Sequence, residues 1–260
     1  MVIRTESLTR RFGSLVAVDR LDLVVRKGVI FGFLGPNGAG KSTTINMLTS
    51  LLPPSAGTAW VAGFDIQREP LEVKRRIGVV PEELSLYERL TASEQVELVG
   101  RLHGLPHAEI ERRIPPLLEL LELGDSADKM ILDYSHGMRK KTALACALIH
   151  APEILFLDEP FEGIDPISAR AVKEVLREMV SQRGTTVFFS THVMELAERF
   201  CDQVGIINKG QLVGVGSIPE LRQRAGLPPE APLEDVFIRT VGAEIEDEGL
   251  LGWLTGKEPT

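Results

Sequence analysis

Apolar runs and helical patterns alternate along most of the chain. Residues 29–34, 77–80, 154–157 and 185–189 are short, mostly apolar segments, which is typical of strands that are buried on both faces. Helix-forming residues follow Lys41 and recur between the later segments. This alternation predicts an α/β core in which helices connect buried strands.

Further strands are predicted on either side of this core. Residues 2–9, 16–25 and 58–62 are rich in β-forming residues, and apolar side chains recur at every second position of the segment 16–25. Near the other end of the chain, two apolar segments flank an Asn-Lys-Gly sequence at 208–210. Such a sequence predicts the tight turn of a β-hairpin.

Residues 88–150 are rich in Leu, Glu and Arg at helical spacing, which predicts a helical insertion into the α/β core. Thr91 and Glu94 have the spacing of a capping box, so a helix is expected to begin there. Pro115 and Pro116 interrupt the next helical pattern, and we expect a kink or a restart at that point. The last helix of the insertion is predicted over residues 139–149.

The end of the core is also marked by local signals. Asp165 as N-cap and Pro166 in the first turn predict a helix that ends near Gly184. The proline-rich sequence from 228 to 232 has the character of a linker. We therefore expect a main domain over residues 1–227, with its helical subdomain at about 88–150, and a short C-terminal extension over residues 228–260.

Composition narrows the classes of function. The chain has 260 residues, of which 43% are hydrophobic and 25% charged, as in globular proteins. Its net charge of −8 argues against broad binding to nucleic acid, whose phosphates need a basic surface. Cys146 and Cys201 stand far apart, which favours free thiols in a reducing cytosol. The charged N-terminus does not match a secretory leader, and no segment has the roughly 20 apolar residues that span a bilayer.

The segment between the predicted strand at 29–34 and the next helix carries the strongest chemical signal. It consists of Gly35, Pro36, Asn37, Gly38, Ala39, Gly40, Lys41, Ser42 and Thr43. This is the P-loop pattern, whose glycines let backbone N–H groups approach phosphate oxygens at a helix N-terminus. Lys41 is expected to contact the β- and γ-phosphates of a nucleotide, and the Ser42 hydroxyl to ligate Mg2+.

Three further residues stand at the ends of buried strands. Asp158 ends the segment 154–157, where a carboxylate can hold Mg2+, and Glu159 beside it is expected to orient the attacking water. His192 follows another core strand and is expected at the phosphate edge of the sheet. Two solvated acids and a structural histidine would also explain these residues, but a P-loop in the same chain favours catalysis.

A basic cluster stands at the start of the helix predicted over 139–149. It consists of Arg139, Lys140 and Lys141. Cations at a helix N-terminus oppose the helix macrodipole, so an anion brought to this end would relieve the conflict. The alternative is a solvated basic face.

Together these segments resemble the ATPase subunits of ABC transporters, over about residues 2–240. The order matches that family: stacking aromatic, P-loop, Q-loop, helical subdomain, signature sequence, Walker B strand, D-loop and switch histidine. The resemblance implies an α/β fold that combines a P-loop NTPase core, a mostly parallel sheet, an antiparallel β subdomain and the helical insertion. It also implies a Mg2+-dependent ATPase similar to bacterial exporter-type subunits.

The resemblance also assigns residues by position. Phe12 matches the aromatic that stacks on adenine, Ser135 and Gly137 match the signature sequence, Asp165 matches the D-loop and His192 the switch. In the family, two subunits close head to tail, so each signature sequence meets the γ-phosphate bound by the other. The chain is thus expected to bind ATP and Mg2+, to form a homo- or heterodimer, and to drive a transmembrane permease subunit from the cytoplasmic face of the membrane, without a nucleic-acid partner.

Some positions depart from the family pattern. His136 and Met138 replace the usual Gly and Gln of the signature sequence, as in variants found in bacterial exporter ATPases. Glu82 stands where the family has a Gln that touches Mg2+ and senses the membrane subunit, so we expect Glu82 to belong to the metal site. The alternative is that the Glu82 side chain turns to solvent and does not contact the metal. Glu162 and Gly163 occupy D-loop positions where small residues are common, which affects the expected contacts across the dimer.

Two alternative classes of function would require other sequence features. A non-transport ABC ATPase that acts on ribosomes or DNA would be expected to carry two ATPase units or a long coiled-coil insertion. A metabolic kinase or a GTPase would lack the signature sequence, and a GTPase would carry an Asn-Lys-x-Asp motif. Residues 233–237 and the tail 249–253 resemble the C-terminal end of exporter-type subunits. Trp253 is expected to be part of a loosely packed tail, with an anchor on a partner or a membrane as the alternative.

Overall fold

Two β-sheets and the helices around them make up residues 1–241, which are the residues that the computed structural model describes. The strands are β1 Ile3–Phe12, β2 Leu15–Leu21, β3 Val24–Val25, β4 Ile30–Leu34, β5 Ala56–Val61, β6 Phe64–Asp65, β7 Ile77–Val80, β8 Ile154–Asp158, β9 Thr186–Thr191, β10 Gln203–Asn208 and β11 Gln211–Gly216. The helices are α1 Lys41–Leu48, α2 Pro70–Arg76, α3 Ala92–Leu102, α4 His107–Leu120, α5 His136–Leu148, α6 Pro166–Arg183, α7 Met194–Phe200, α8 Ile218–Arg224 and α9 Leu233–Val241. The short elements β6, α2 and α7 were missed from the sequence, because so few residues show no clear periodicity.

The larger sheet positions the chemistry. Its order is β11-β10-β4-β9-β8-β7, with parallel pairing from β10 to β7 and an antiparallel β11 at the edge. The three central strands are buried along their whole length, and the rings of Phe31 and Phe188 stack at 5.2 Å between them. Because parallel strands end at the same edge, Leu34 pairs with Thr191 and Asp158 with Ser190. The loops after β4, β8 and β9 therefore meet at one edge.

The smaller sheet is antiparallel, with the order β2-β1-β5-β6 and β3 paired to β1. The single strand predicted at 16–25 is wrong, since it divides into β2 and β3. The break is stabilised by Thr5, whose hydroxyl donates to the Leu21 carbonyl and accepts from the Leu23 N–H. The predicted alternation holds across the break, because the alternate apolar side chains remain buried. The α/β fold with a mostly parallel sheet and an antiparallel β subdomain is thus confirmed.

Helices α3, α4 and α5 form the predicted helical insertion. The capping box is present: the Thr91 hydroxyl accepts from the Glu94 N–H, and the Glu94 carboxylate accepts from the Thr91 N–H. Helix α5 begins at His136, after Ser135 as its N-cap, one turn before the predicted start at Arg139. The basic cluster therefore lies in the second turn of α5 instead of at its start.

Pro115 and Pro116 lie inside α4, so the helix does not restart at these residues, and the alternative expectation of a kink stays a prediction. Two prolines remove two main-chain donors from the helix. Ile110 and Leu118 are buried on either side of them, in the packing of α4 against α3 and α5. Burial of both ends of the segment offsets the loss of the two hydrogen bonds.

The C-terminal part of the described chain packs on the core sheet. Asp165 caps α6 and Gly184 ends it, as predicted, and β10 and β11 form the predicted hairpin. Gly184 has the left-handed conformation. Leu233 and Val236 of α9 are buried in one cluster with residues of β4, β10, α7 and α8. Trp253 lies outside the described residues, and the division at residue 228 stays a prediction. Within residues 1–241, no helix has the length and apolar character needed to cross a membrane.

Candidate functional site

Glycines shape the loop between β4 and α1. A Cβ added at Gly35 would lie 2.3 Å from the carbonyl oxygen of Ile207. One added at Gly40, where φ is +105°, would lie 2.5 Å from the carbonyl oxygen of Ala17. Helix α1 begins immediately after, at Lys41, and Gly40 supplies no side-chain cap. Because the first N–H groups of a helix have no intrahelical partner, this uncapped end is suited to an anion such as phosphate.

A cleft of about 550 Å3 lies in front of this loop. The predicted binding residues that line it are Phe12, Asn37, Gly38, Gly40, Lys41, Ser42, Thr43, Glu82 and Glu159. The Phe12 ring is 45% exposed, and the Arg10 guanidinium lies 4.6 Å from its centroid. An exposed aromatic face, a lysine and a helix N-terminus in one cleft suit an aromatic base that is linked to phosphates.

One wall of the cleft was missed from the sequence. The residues of this wall are Leu15, Val16, Ala17, Lys209 and Gly210. The Gly210 N–H donates to the Ala39 carbonyl at 2.9 Å, which attaches the β10–β11 turn to the P-loop. The turn itself was predicted, but its place beside the P-loop follows from the pairing of β10 with β4 in the sheet. Nothing in the local sequence indicates that pairing.

The buried side chain of Lys41 and the His192 ring meet at one carboxylate oxygen. Lys41 Nζ donates to the carbonyl oxygens of Gly35 at 2.9 Å and Pro36 at 3.3 Å. It lies 3.3 Å from Oε1 of Glu159, and His192 Nδ1 lies 3.0 Å from the same oxygen. The three residues predicted as catalytic are therefore brought together at the carboxyl edge of the sheet.

The backbone of Glu159 is held in an uncommon conformation. Its φ is +46°, in the left-handed region, which costs a residue with a Cβ on the order of 1 kcal/mol. The Glu159 N–H donates to Ser190 Oγ at 3.0 Å, and the Ser190 hydroxyl donates to Oδ1 of Asp158. On the other side, Lys140 Nζ donates to the Glu159 carbonyl at 2.9 Å. Neither Ser190 nor this role of Lys140 was found from the sequence.

The residues predicted for Mg2+ offer the oxygen ligands that this ion prefers. Ser42 Oγ, in α1, donates to Oε2 of Glu82, in the loop after β7, at 3.4 Å. Asp158 is buried at the end of β8 and accepts from the Ser190 hydroxyl. A hydroxyl and a carboxylate side by side at the P-loop fit a magnesium ion that takes its other ligands from phosphate and water.

The other predicted binding residues lie outside this cleft. The Ser135 hydroxyl caps α5 by accepting from the Met138 N–H, and Gly137 follows in the first turn. The Asp165 carboxylate caps α6, and its hydrogen bonds from Ser168 hold the pKa of Asp165 below its ordinary value. Ser135 and Asp165 are exposed. The chain alone therefore does not bring these residues to its own P-loop cleft.

The basic cluster has partners within the chain. Arg139 pairs with Glu88 at 3.0 Å, Lys141 pairs with Glu122 at 2.6 Å, and Lys140 donates to main-chain carbonyls. The expectation that these three cations call for an external anion is therefore wrong. The anion-binding potential of this end of α5 comes from its N–H groups instead.

Comparison with known proteins agrees with this geometry. The family model described as "ABC transporter" matches residues 18–162. The linearmycin resistance ATP-binding protein LnrL of Bacillus subtilis is 38% identical over 225 residues, which cover 86% of this chain and 72% of that protein. The daunorubicin/doxorubicin resistance ATP-binding protein DrrA of Streptomyces peucetius is 41% identical over 224 residues, which cover 86% of this chain and 68% of that protein.

Solved structures give the same result. A structure of an ATP-binding subunit of an ABC transporter superposes with a TM-score of 0.86 at 31% identity, covering 93% of this chain and 100% of that one. The dimeric ABC transporter cassette MJ0796 shares the fold, with a TM-score of 0.78 at 24% identity over 83% of this chain and 98% of that one. These relatives favour transport over action on ribosomes or DNA. The chain belongs to the ABC transporter family, as one of its ATP-binding and ATP-hydrolysing subunits.

Proposed function

We propose that the chain drives export through a separate transmembrane permease, to which it binds at the cytoplasmic face of the membrane. Relatives that are 38–41% identical are named for resistance to linearmycin and to daunorubicin and doxorubicin, and one that is 40% identical is named for Nod factor export. These names describe those proteins, and they support export by this chain. Its cargo is selected by the permease in this proposal.

One observation supports the assignment of catalytic roles: Lys41 and His192 share a single carboxylate oxygen of Glu159. When ATP binds, its phosphates compete for the Lys41 ammonium, and Oε1 of Glu159 becomes available to a water molecule. Glu159 then accepts hydrogen bonding from that water and polarises it for attack on the γ-phosphate. His192 stays beside the carboxylate and orients it toward the same phosphate.

Metal binding in this proposal uses Ser42, Glu82 and Asp158. The Ser42 hydroxyl donates to the Glu82 carboxylate, and Asp158 is the last residue of β8. A bound Mg2+ neutralises charge on the phosphates and helps to orient them. The chain contributes two carboxylates to this metal site, those of Glu82 and Asp158, whereas a Gln at position 82 would leave only that of Asp158.

The active form in this proposal is a dimer of two ATPase subunits. Ser135 and Asp165 are exposed and lie outside the cleft, and the first turn of α5 presents N–H groups around Gly137. A second subunit that supplies ATP on its own P-loop would place a γ-phosphate at this end of α5. Each nucleotide is then held by the P-loop of one subunit and the signature sequence of the other.

The replacement of Glu159 by Gln tests this mechanism. Glu159→Gln keeps the shape of the side chain but removes its charge, so we expect ATP binding to persist while turnover falls by about 10²–10⁴-fold. Gel filtration should then show a dimer that depends on ATP. Lys41→Ala should lose nucleotide affinity and the dimer together, because it removes the cation that binds the phosphates. Normal ATPase activity in Glu159→Gln would refute the role given to this residue.

A further inference from the structure

Lys140 is a buried cation with an unusual set of partners. It lies in the second turn of α5 and is only 5% exposed. Its ammonium group donates to the main-chain carbonyls of Glu159 at 2.9 Å and Glu162 at 2.5 Å. Within residues 1–241, no carboxylate oxygen lies within 4.0 Å of Lys140 Nζ. Burial lowers the pKa of Lys140, an effect that the charges of Glu162, Glu159 and Glu82 oppose.

The neighbouring Lys141 shows what a structural lysine looks like in the same helix. It is 7% exposed, and its ammonium pairs with the Glu122 carboxylate at 2.6 Å. An ion pair of this kind compensates a buried charge directly. Carbonyl oxygens compensate the charge of Lys140 less fully, so its burial serves stability poorly. The position of the two carbonyls that Lys140 binds therefore indicates its role better than any contribution to stability.

Both of these carbonyls belong to the turn that carries the catalytic carboxylate. Glu159 has a φ of +46° and must be held by its surroundings. Ser190 fixes its N–H, and Lys140 fixes its carbonyl, so the residue is constrained on both sides. The side chain that leaves this residue reaches Lys41 and His192. A small rotation of the main chain here would move the carboxylate away from them.

We propose that Lys140 is a positioning residue, which sets the main chain of Glu159 and ties the catalytic carboxylate to the signature helix α5. This inference rests on the proposed function, in which Glu159 polarises water and the N-terminal end of α5 meets the nucleotide of the other subunit. Lys140 then connects the two nucleotide sites within one chain. When α5 moves in response to the ATP at one site, the Lys140 ammonium group transmits this movement to Glu159, which acts on the ATP at the other site.

The test compares Lys140→Met, Lys140→Arg and the matched control Lys141→Met in the full chain with Mg-ATP. Met retains the length and apolar stem of Lys but donates no hydrogen bond. We expect Lys140→Met to lower kcat by about 10–100-fold, since misplacement of a reacting group by 1 Å can cost that much, and to leave KM within about 3-fold. Arg restores two donors, so Lys140→Arg should recover part of kcat. Lys141→Met should lower the melting temperature but keep kcat within about 2-fold.

A second measurement separates this inference from the proposed function. Lys140→Met is combined with Glu159→Gln, and single-turnover hydrolysis is measured for both single variants and for the pair. If Lys140 acts through Glu159, the pair is no slower than Glu159→Gln alone. Two outcomes overturn the inference only. In the first, Glu159→Gln hydrolyses ATP slowly while Lys140→Met hydrolyses it at the wild-type rate. In the second, Lys140→Met and Lys141→Met lose kcat equally. A fast Glu159→Gln overturns the proposed function itself.

Discussion

We expect the stacked pair of His103 and His150 to make the stability of this chain sensitive to mildly acidic pH. The two rings lie 3.7 Å apart with an interplanar angle of 11°, and they join the end of α3 to the end of α5. His150 Nε2 donates to the Ile77 carbonyl at 2.9 Å, while its Nδ1 is buried and has no partner among residues 1–241. Protonation would place a second N–H at Nδ1, and no group in the described part of the chain accepts it.

The surroundings of His150 also disfavour a positive charge. Burial of the ring is the main cause that lowers its pKa to about 4, and His103 and Arg113 add to the effect. Burial lowers the pKa of His103 as well. Lys74 of α2 and Cys146 of α5 line the cavity beside the two rings, and among the described residues that line this cavity there is no carboxylate to offset these groups.

The size of the effect follows from linkage. The unfolded chain protonates His150 near pH 6.5, whereas the folded chain does so only near pH 4. The unfolded state therefore binds more protons between these values, so the free energy of unfolding is highest above pH 6.5 and falls as the pH drops toward 4. These two pKa values imply a loss of about 2 kcal/mol at pH 5. Partial exposure of the ring reduces this to about 1 kcal/mol, or about 2–4 °C in melting temperature.

Thermal unfolding followed by circular dichroism tests this prediction. Wild type, His150→Gln and His107→Gln are melted at pH 7.5, 6.5, 5.5 and about 5, at constant ionic strength. Gln retains a donor for the Ile77 carbonyl but does not titrate, so the melting temperature of His150→Gln should fall less with pH than that of wild type. His107 is 59% exposed, so His107→Gln provides a matched His-to-Gln substitution at the surface. An identical pH dependence in wild type and His150→Gln would refute the reasoning.

Two further predictions concern the nucleotide site. Ser135→Arg should abolish ATP hydrolysis but leave ATP binding by the monomer nearly unchanged, because Ser135 lies outside the cleft of its own chain. Fluorescence titration measures this binding, and its loss in the monomer would contradict the action of Ser135 in trans. Glu82→Gln should raise the free Mg2+ concentration for half-maximal ATPase activity several-fold, since it removes a carboxylate 3.4 Å from the Ser42 hydroxyl. Equal half-saturation concentrations in the wild type and this variant would exclude Glu82 as a ligand.

Features that depend on neighbouring residues could be predicted from the sequence. The capping box of Thr91, the Asp165 cap, the left-handed Gly184 and the turn before Gly210 all occur where local patterns place them. Each depends on hydrogen bonds or dihedral angles within a few residues. The P-loop belongs to the same class, because its glycines are required by a single loop between one strand and one helix.

The meeting of distant residues was decided by the tertiary structure. Glu82 reaches Ser42, and Lys140 reaches the carbonyl of Glu159, because strand order brings their elements together. Local patterns do not encode that order. The two prolines inside α4 show the same limit of local patterns. Burial of Ile110 and Leu118 on either side of them outweighs the local preference of proline against helix interiors, which is worth a few kcal/mol. The sequence by itself determined which residues could bind a nucleotide, and the order of strands in the sheet decided which of them share one cleft, because side-chain contacts require proximity in space and not along the chain.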